Sequence, residues 1–246
     1  MLGSNIGNIL LILAVVAIIR PITVNPAAVG RDGALMIAVS IGLAAIALTL
    51  GELSRWVGVL LISGLVLYLA LAWQMERRGG AAAEMHEEEG HSHDPAPQAL
   101  WQSGLFVIAG LGLLIWGADL LVSGAITLAQ LAGMSETVIG LTIVAIGTSL
   151  PELVATLAAA LKGRSDVAFG SIVGSNIYNV LGILGVTAVI HPISVPIDVG
   201  VWDWAALIGS ACLLFAFAMT GRRLTRGEGF VLLSIYVAYV GYLLMR

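Results

Sequence analysis

The segment Gly140-Leu-Thr-Ile-Val-Ala-Ile-Gly-Thr-Ser-Leu-Pro-Glu-Leu153 sets the strongest limit on what this chain can fold into. Apolar residues flank it for a full membrane span, yet its centre holds Thr148, Ser149, Pro151 and Glu152. Each is costly in hydrocarbon. A carboxylate at mid-bilayer costs about 3 kcal/mol on insertion scales, and such groups face a cavity or an ion path. Pro151 has no N–H, and its ring clashes with the carbonyl four residues back, so the helix is predicted to bend or unwind there. Freed carbonyls then lie beside two hydroxyls and a carboxylate. Hard oxygen donors of this kind suit Na⁺ and Ca²⁺, and broken helices at the midplane are where membrane transporters hold ions.

Composition places the rest of the chain in the same setting. Apolar residues make up 59% and charged residues 11%, against ~25% charged in soluble domains, so the chain reads as an integral, all-α membrane protein. Runs of roughly 17 to 25 apolar residues give eight spans, at about 3–19, 33–51, 56–75, 100–131, 136–160, 167–190, 200–219 and 228–245. Between the third and fourth lies one polar segment, residues 76–98. The first apolar run lacks the basic start and early end of a cleavable signal peptide. The single cysteine, Cys212, excludes an internal disulfide framework. No nucleic-acid surface and no cofactor motif is present. Hydrolysis by Ser149 and Glu152 is disfavoured, because no span carries a histidine or lysine base near them.

Basic residues orient the spans. With loops assigned alternately to two sides, Arg20, Arg31, Arg77, Arg78, Lys162, Arg164, Arg222, Arg223 and Arg226 fall on one side and only Arg55 and Arg246 on the other. The rule that cytoplasmic loops are basic then makes residues 76–98 cytoplasmic and both chain ends external. Trp56, Trp202 and Trp204 fall at predicted outer edges, Trp73 and Trp101 at inner ones, as interfacial anchors.

An internal repeat organises the spans further. Residues 3–24 align without a gap onto residues 174–195, with 14 of 22 positions identical. The same offset of 171 residues pairs Asp32 with Asp203, Gly58 with Gly229, Ser63 with Ser234 and Tyr68 with Tyr239. Five crossings separate the two copies, so they have opposite orientations in the bilayer. Inverted repeats of this kind are associated with alternating access around a site at the repeat interface.

The sequence of residues 140–152, followed by Gly-Ser-Asn-Ile-Tyr-Asn at 174–179 and Gly-Ser-Asn-Ile-Gly-Asn at 3–8, closely resembles the alpha repeats of sodium/calcium exchangers, in the prokaryotic branch of the calcium/cation antiporter superfamily. The resemblance covers essentially the whole chain. It implies a polytopic fold of ten helices in two inverted halves of five, of which these eight match helices three to ten. Residues 1–75 would then be a partial first half, 76–99 a linker and 100–246 a complete second half. The offset places the counterpart of Glu152 about 20 residues before Met1, so a longer natural chain is expected. The alternatives are an eight-helix protein that completes its site as a homo-oligomer, or a non-transporting membrane protein.

By resemblance, the ion ligands are Glu152, Thr148, Ser149, the carbonyl of Ala145, Ser175 and Asn179, with Ser4 and Asn8 in the partial copy. Ser175 with Asn179 and Ser4 with Asn8 are each four residues apart, hence on one helical face. Some family members carry aspartate at a position matching Asn8 or Asn179, and asparagine at both removes a charge. The implied activity is antiport of Ca²⁺ and Na⁺ across the plasma membrane, with exchange against protons as the alternative driving ion. Three residue groups have competing readings. Ser4, Asn8, Ser175 and Asn179 could be interhelical hydrogen-bond glue, and Thr148 and Ser149 could bond back to the preceding turn. Asp119, a second carboxylate within a span, reads as a structural partner or a relay. The segment Glu84–Asp94, with three histidines, reads as a solvated linker rather than a metal site.

Overall fold

The computed structural model describes residues 1–78 and 100–245. Its spans are α1 (Leu2–Ile19), α2 (Val29–Leu50), α3 (Arg55–Arg78), α4 (Leu100–Leu131), a bent pair α5 (Glu136–Thr148) and α6 (Leu150–Leu161), α7 (Ser165–Ile190), α8 (Val201–Gly221) and α9 (Arg226–Leu244). Among the described residues, seven helices are long and apolar enough to cross a membrane by themselves, and there are eight spans when the bent pair is counted as one. The protein is therefore a polytopic all-α membrane protein with the predicted order of spans. The sequence-based edges need small corrections. The second span begins earlier, at Val29, and α3 runs on to Arg78 into the stretch predicted as linker. The Glu84–Asp94 histidine segment lies outside the described residues.

Local chemistry sets the helix ends. Arg20 and His191 precede prolines and take extended backbone (φ −140°, ψ 116° and φ −141°, ψ 123°), which ends α1 and α7. Thr225 and Glu228 form a reciprocal cap that starts α9, and the repeat-related Ser54 accepts the Val57 N–H to start α3.

Inverted symmetry governs the packing. The repeat-related α1 and α7 are the most enclosed spans, while α4 buries nothing along its apolar window. Each of the central pair is gripped by the last helix of the other copy, at a glycine. A Cβ on Gly58 would lie 2.7 Å from the Gly185 carbonyl on α7, and one on Gly229 would lie 2.8 Å from the Ala14 carbonyl on α1. Tyr68 donates to Asp32 at 3.2 Å and Tyr239 donates to Asp203 at 3.0 Å. Two short antiparallel ribbons complete the frame. Strand β1 (Ile22–Thr23) pairs with β4 (Arg223–Leu224), and β2 (Glu52–Leu53) with β3 (Ile193–Ser194). The offset of 171 residues maps one ribbon onto the other.

Of the tryptophans predicted at membrane edges, Trp56, Trp73, Trp101 and Trp202 are exposed, but Trp204 is buried. Trp204 lies in the first turn of α8, where the helix faces the core, so it packs rather than anchors. Its Nε1 has no hydrogen-bond partner.

Candidate ion-binding site

The α5–α6 span bends by 42° between Thr148 and Leu150, where Pro151 stands in the first turn of the new helix. A proline is well suited there because first-turn N–H groups lack intrahelical acceptors. Ser149 leaves helical geometry (φ −98°, ψ 3°), and its N–H donates to the Ile146 carbonyl at 3.1 Å, one residue short of the regular acceptor, Ala145. Glu152 follows in the first turn of α6, the end of a helix that favours negative charge.

The break brings the sequence-predicted residues into two contacts. Ser175 on α7 donates to Glu152 Oε1 at 3.1 Å, and Ser149 shares a buried hydrogen bond of 2.9 Å with Ser4 on α1. Gly3 permits the second contact, since a Cβ there would lie 2.6 Å from the Leu141 carbonyl and 2.9 Å from Ala145 Cβ. Among the described residues, Glu152 Oε2 is buried with no hydrogen-bond partner. A buried carboxylate oxygen without a hydrogen bond is costly, and a cation is the natural partner for it.

Asn8 and Asn179 stand at the two ends of a hydrogen-bonded row of four asparagines, whose middle members, Asn5 and Asn176, the sequence reading did not single out. Asn8 Nδ2 donates to Asn176 Oδ1 and Asn179 Nδ2 donates to Asn5 Oδ1, each at 2.9 Å. Asn5 and Asn176 also exchange Nδ2-to-carbonyl bonds of 3.1 Å in both directions. All four asparagines are buried, so glue between α1 and α7 is one of their roles. Asn8 Oδ1 nevertheless remains buried without a partner, as does the Thr156 hydroxyl one turn beyond Glu152. Asn5 and Asn176 could have been found from the repeat, which keeps both.

Thr148 and Ala145 behave differently. The Thr148 hydroxyl bonds back to the carbonyls of Val144 at 2.9 Å and Ala145 at 3.2 Å, and the residue is exposed. In this conformation Thr148 satisfies its own helix and occupies the Ala145 carbonyl that Ser149 gave up. Asp119 is exposed on α4 and lines an open depression with Val122, Thr148 and Pro151. It does not reach the Glu152 contacts.

Chemically, the cluster offers hydroxyl, amide and carboxylate oxygens with one formal negative charge. Among the described residues, no three His, Cys, Asp or Glu side chains gather as a metal cluster, so any bound ion is held by mixed oxygens, the preference of hard cations.

Comparison with known proteins agrees with this donor chemistry. The chain is 39% identical to the putative antiporter CaxA of Alkalimonas amylolytica over 248 residues, covering 97% of this chain and 75% of that protein. It is 39% identical to the sodium/calcium exchanger MaX1 of Methanosarcina acetivorans over 134 residues, covering 54% of this chain and 38% of that protein. The solved structure of the sodium-calcium exchanger NCX_Mj superposes with a TM-score of 0.72 at 29% identity, over 98% of this chain and 74% of that one. The profile of the sodium/calcium exchanger proteins matches residues 1–74 and 103–245, which take in both copies of the repeat and the broken helix, and the chain thus belongs to the sodium/calcium exchanger family.

Proposed function

We propose that the protein is an antiporter of the plasma membrane that exchanges Ca²⁺ for Na⁺ at the Glu152 cluster. The observation that carries this reading is Glu152 Oε2, a buried carboxylate oxygen with no hydrogen-bond partner among the described residues, beside a helix break, the Ser4–Ser149 pair and the Ser175 hydroxyl. Glu152, Ser149, Ser4, Ser175, Asn8 and Asn179 supply side-chain oxygens. Thr148 and the Ala145 carbonyl join them once the Thr148 hydroxyl turns out of its own helix. These oxygens replace the hydration shell of the ion. Na⁺ and Ca²⁺ compete for the same carboxylate, so occupancy by one excludes the other. That competition couples the two fluxes, provided that the empty, charged site switches access slowly. Residues 1–75 and 100–246 act as the two inverted halves. The stretch 76–98 and the β1–β4 ribbon face the cytoplasm, and the chain ends face outward.

The test is uptake of radioactive Ca²⁺ into proteoliposomes loaded with Na⁺. Glu152→Gln is expected to abolish uptake without reducing the amount of inserted protein, and wild-type uptake in that variant overturns the assignment. One observation favours a second driving ion. With amides at both Asn8 and Asn179, these two positions add no charge to the site, and a site of lower charge suits exchange against protons. Ca²⁺ uptake driven by a pH gradient in Na⁺-free medium selects that reading.

A further inference from the structure

The four asparagines of the buried row are not equivalent. Asn5 and Asn176 each touch the backbone of the other copy, whereas Asn8 and Asn179 are held only by side chains. A backbone carbonyl can only accept, so any amide facing it must present its NH₂ end. Asn5 Nδ2 meets the Asn176 carbonyl and Asn176 Nδ2 meets the Asn5 carbonyl, both at 3.1 Å. Asn176 Nδ2 also approaches Met36 Sδ at 3.7 Å. With the NH₂ ends committed, both Oδ1 atoms are committed as acceptors.

The amides at the two ends of the row must then donate. Asn8 gives Nδ2 to Asn176 Oδ1, and Asn179 gives Nδ2 to Asn5 Oδ1. A flip of Asn8 would set two carbonyl oxygens against each other at hydrogen-bond distance in a buried site, and would turn its NH₂ where its oxygen now lies. Its Oδ1, buried and free of protein partners, is left as an acceptor by elimination.

We infer that Asn176 and Asn5 are positioning residues, which fix the amides of Asn8 and Asn179 so that oxygen rather than NH₂ is presented to the transported cation. The inference rests on the ion site proposed above. Two backbone carbonyls, which no substitution removes, decide the polarity of two ligands. The arrangement also ties ligand orientation to contact between α1 and α7, because each deciding carbonyl acts on the ligand through an asparagine of the other copy.

A double-mutant cycle read by equilibrium Ca²⁺ binding to the purified protein tests it. Asn176→Ala is expected to weaken Ca²⁺ binding roughly tenfold in the wild-type background. In an Asn8→Ala background it is expected to change affinity by less than about twofold, because the ligand it orients is gone. A purely structural role lowers affinity by the same factor in both backgrounds, and that result overturns the inference. If Asn176→Ala yields no folded protein, Asn5→Ala crossed with Asn179→Ala poses the same question at the other end of the row. Glu152→Gln separates the two claims. Unchanged Ca²⁺ affinity there removes the site itself, whereas lost affinity together with an additive cycle removes only the positioning role.

Discussion

Arg222 shows how a single residue records the duplication. It is the only non-glycine among the described residues with a left-handed backbone (φ 51°), and its repeat mate, Gly51, has the same conformation (φ 67°). An L-residue in that region carries a cost of about 1 kcal/mol that glycine avoids. Arg222→Gly is therefore expected to raise stability by about 1 kcal/mol, visible as a higher melting temperature in detergent. A lower one would mean that the arginine side chain makes up the difference. Ser175 makes a bond of another kind, one to a carboxylate. Ser175→Ala is expected to weaken Ca²⁺ binding roughly tenfold, measured by the same binding assay as the asparagine cycle, with little change in melting temperature. At this scale the sequence was most legible where chemistry is expensive. Glu152, Ser149 and Pro151 stood out because hydrocarbon tolerates them poorly. Asn5 and Asn176 did not, because a buried asparagine beside a known candidate reads as packing until its partners are seen.

Among the elements, the broken span was the most legible, since a proline within an apolar run has few other outcomes. The wide turns were not. Asn8–Leu13 and the repeat-related Asn179–Leu184 adopt π-helical backbone, a feature common at functional sites. No residue type marks it, and Val29–Gly33 and Gly140–Val144 adopt the same backbone with quite different sequences. Trp204 was misread for a similar reason, as composition gives the depth of a residue in the bilayer but not the face it occupies. The helix contacts at Gly58 and Gly229 give a test at this scale. Gly58→Ala and Gly229→Ala each put a methyl group within 3 Å of a backbone carbonyl. Each is expected to cost about 2 kcal/mol through overpacking, read from thermal unfolding. A neutral result at either position would mean that the helix pair there can separate at little cost.

For the whole molecule, the span count, the alternating loops and the repeat were all readable from sequence, because membrane thickness and the internal offset of 171 residues leave few arrangements open. Which loops meet was not readable, because two-residue strands carry too little pattern. Their pairing yields a prediction of topology. Ile22→Cys with Leu224→Cys, and Leu53→Cys with Ile193→Cys, occupy directly opposed positions, where Cβ atoms lie about 5 Å apart. Both pairs are expected to cross-link on mild oxidation, whereas Ile22→Cys with Ile193→Cys is not, because the repeat puts those residues at opposite membrane faces. A membrane-impermeant thiol reagent is expected to label Thr23→Cys from the cytoplasm and Ser194→Cys from outside. Labelling of both from one side would refute the inverted arrangement.

The ribbons and paired glycine contacts have one more consequence. Every packing contact shared by the two copies exists twice in the same molecule, once towards each leaflet. Gly58 and Gly229, or the Tyr68–Asp32 and Tyr239–Asp203 bonds, are related contacts set in unlike surroundings, since Asp32 pairs with Arg31 whereas Asp203 is buried and accepts from the Gly200 N–H. Matched substitutions at the two members of a pair therefore report, within one molecule, how far the two copies have diverged since the duplication.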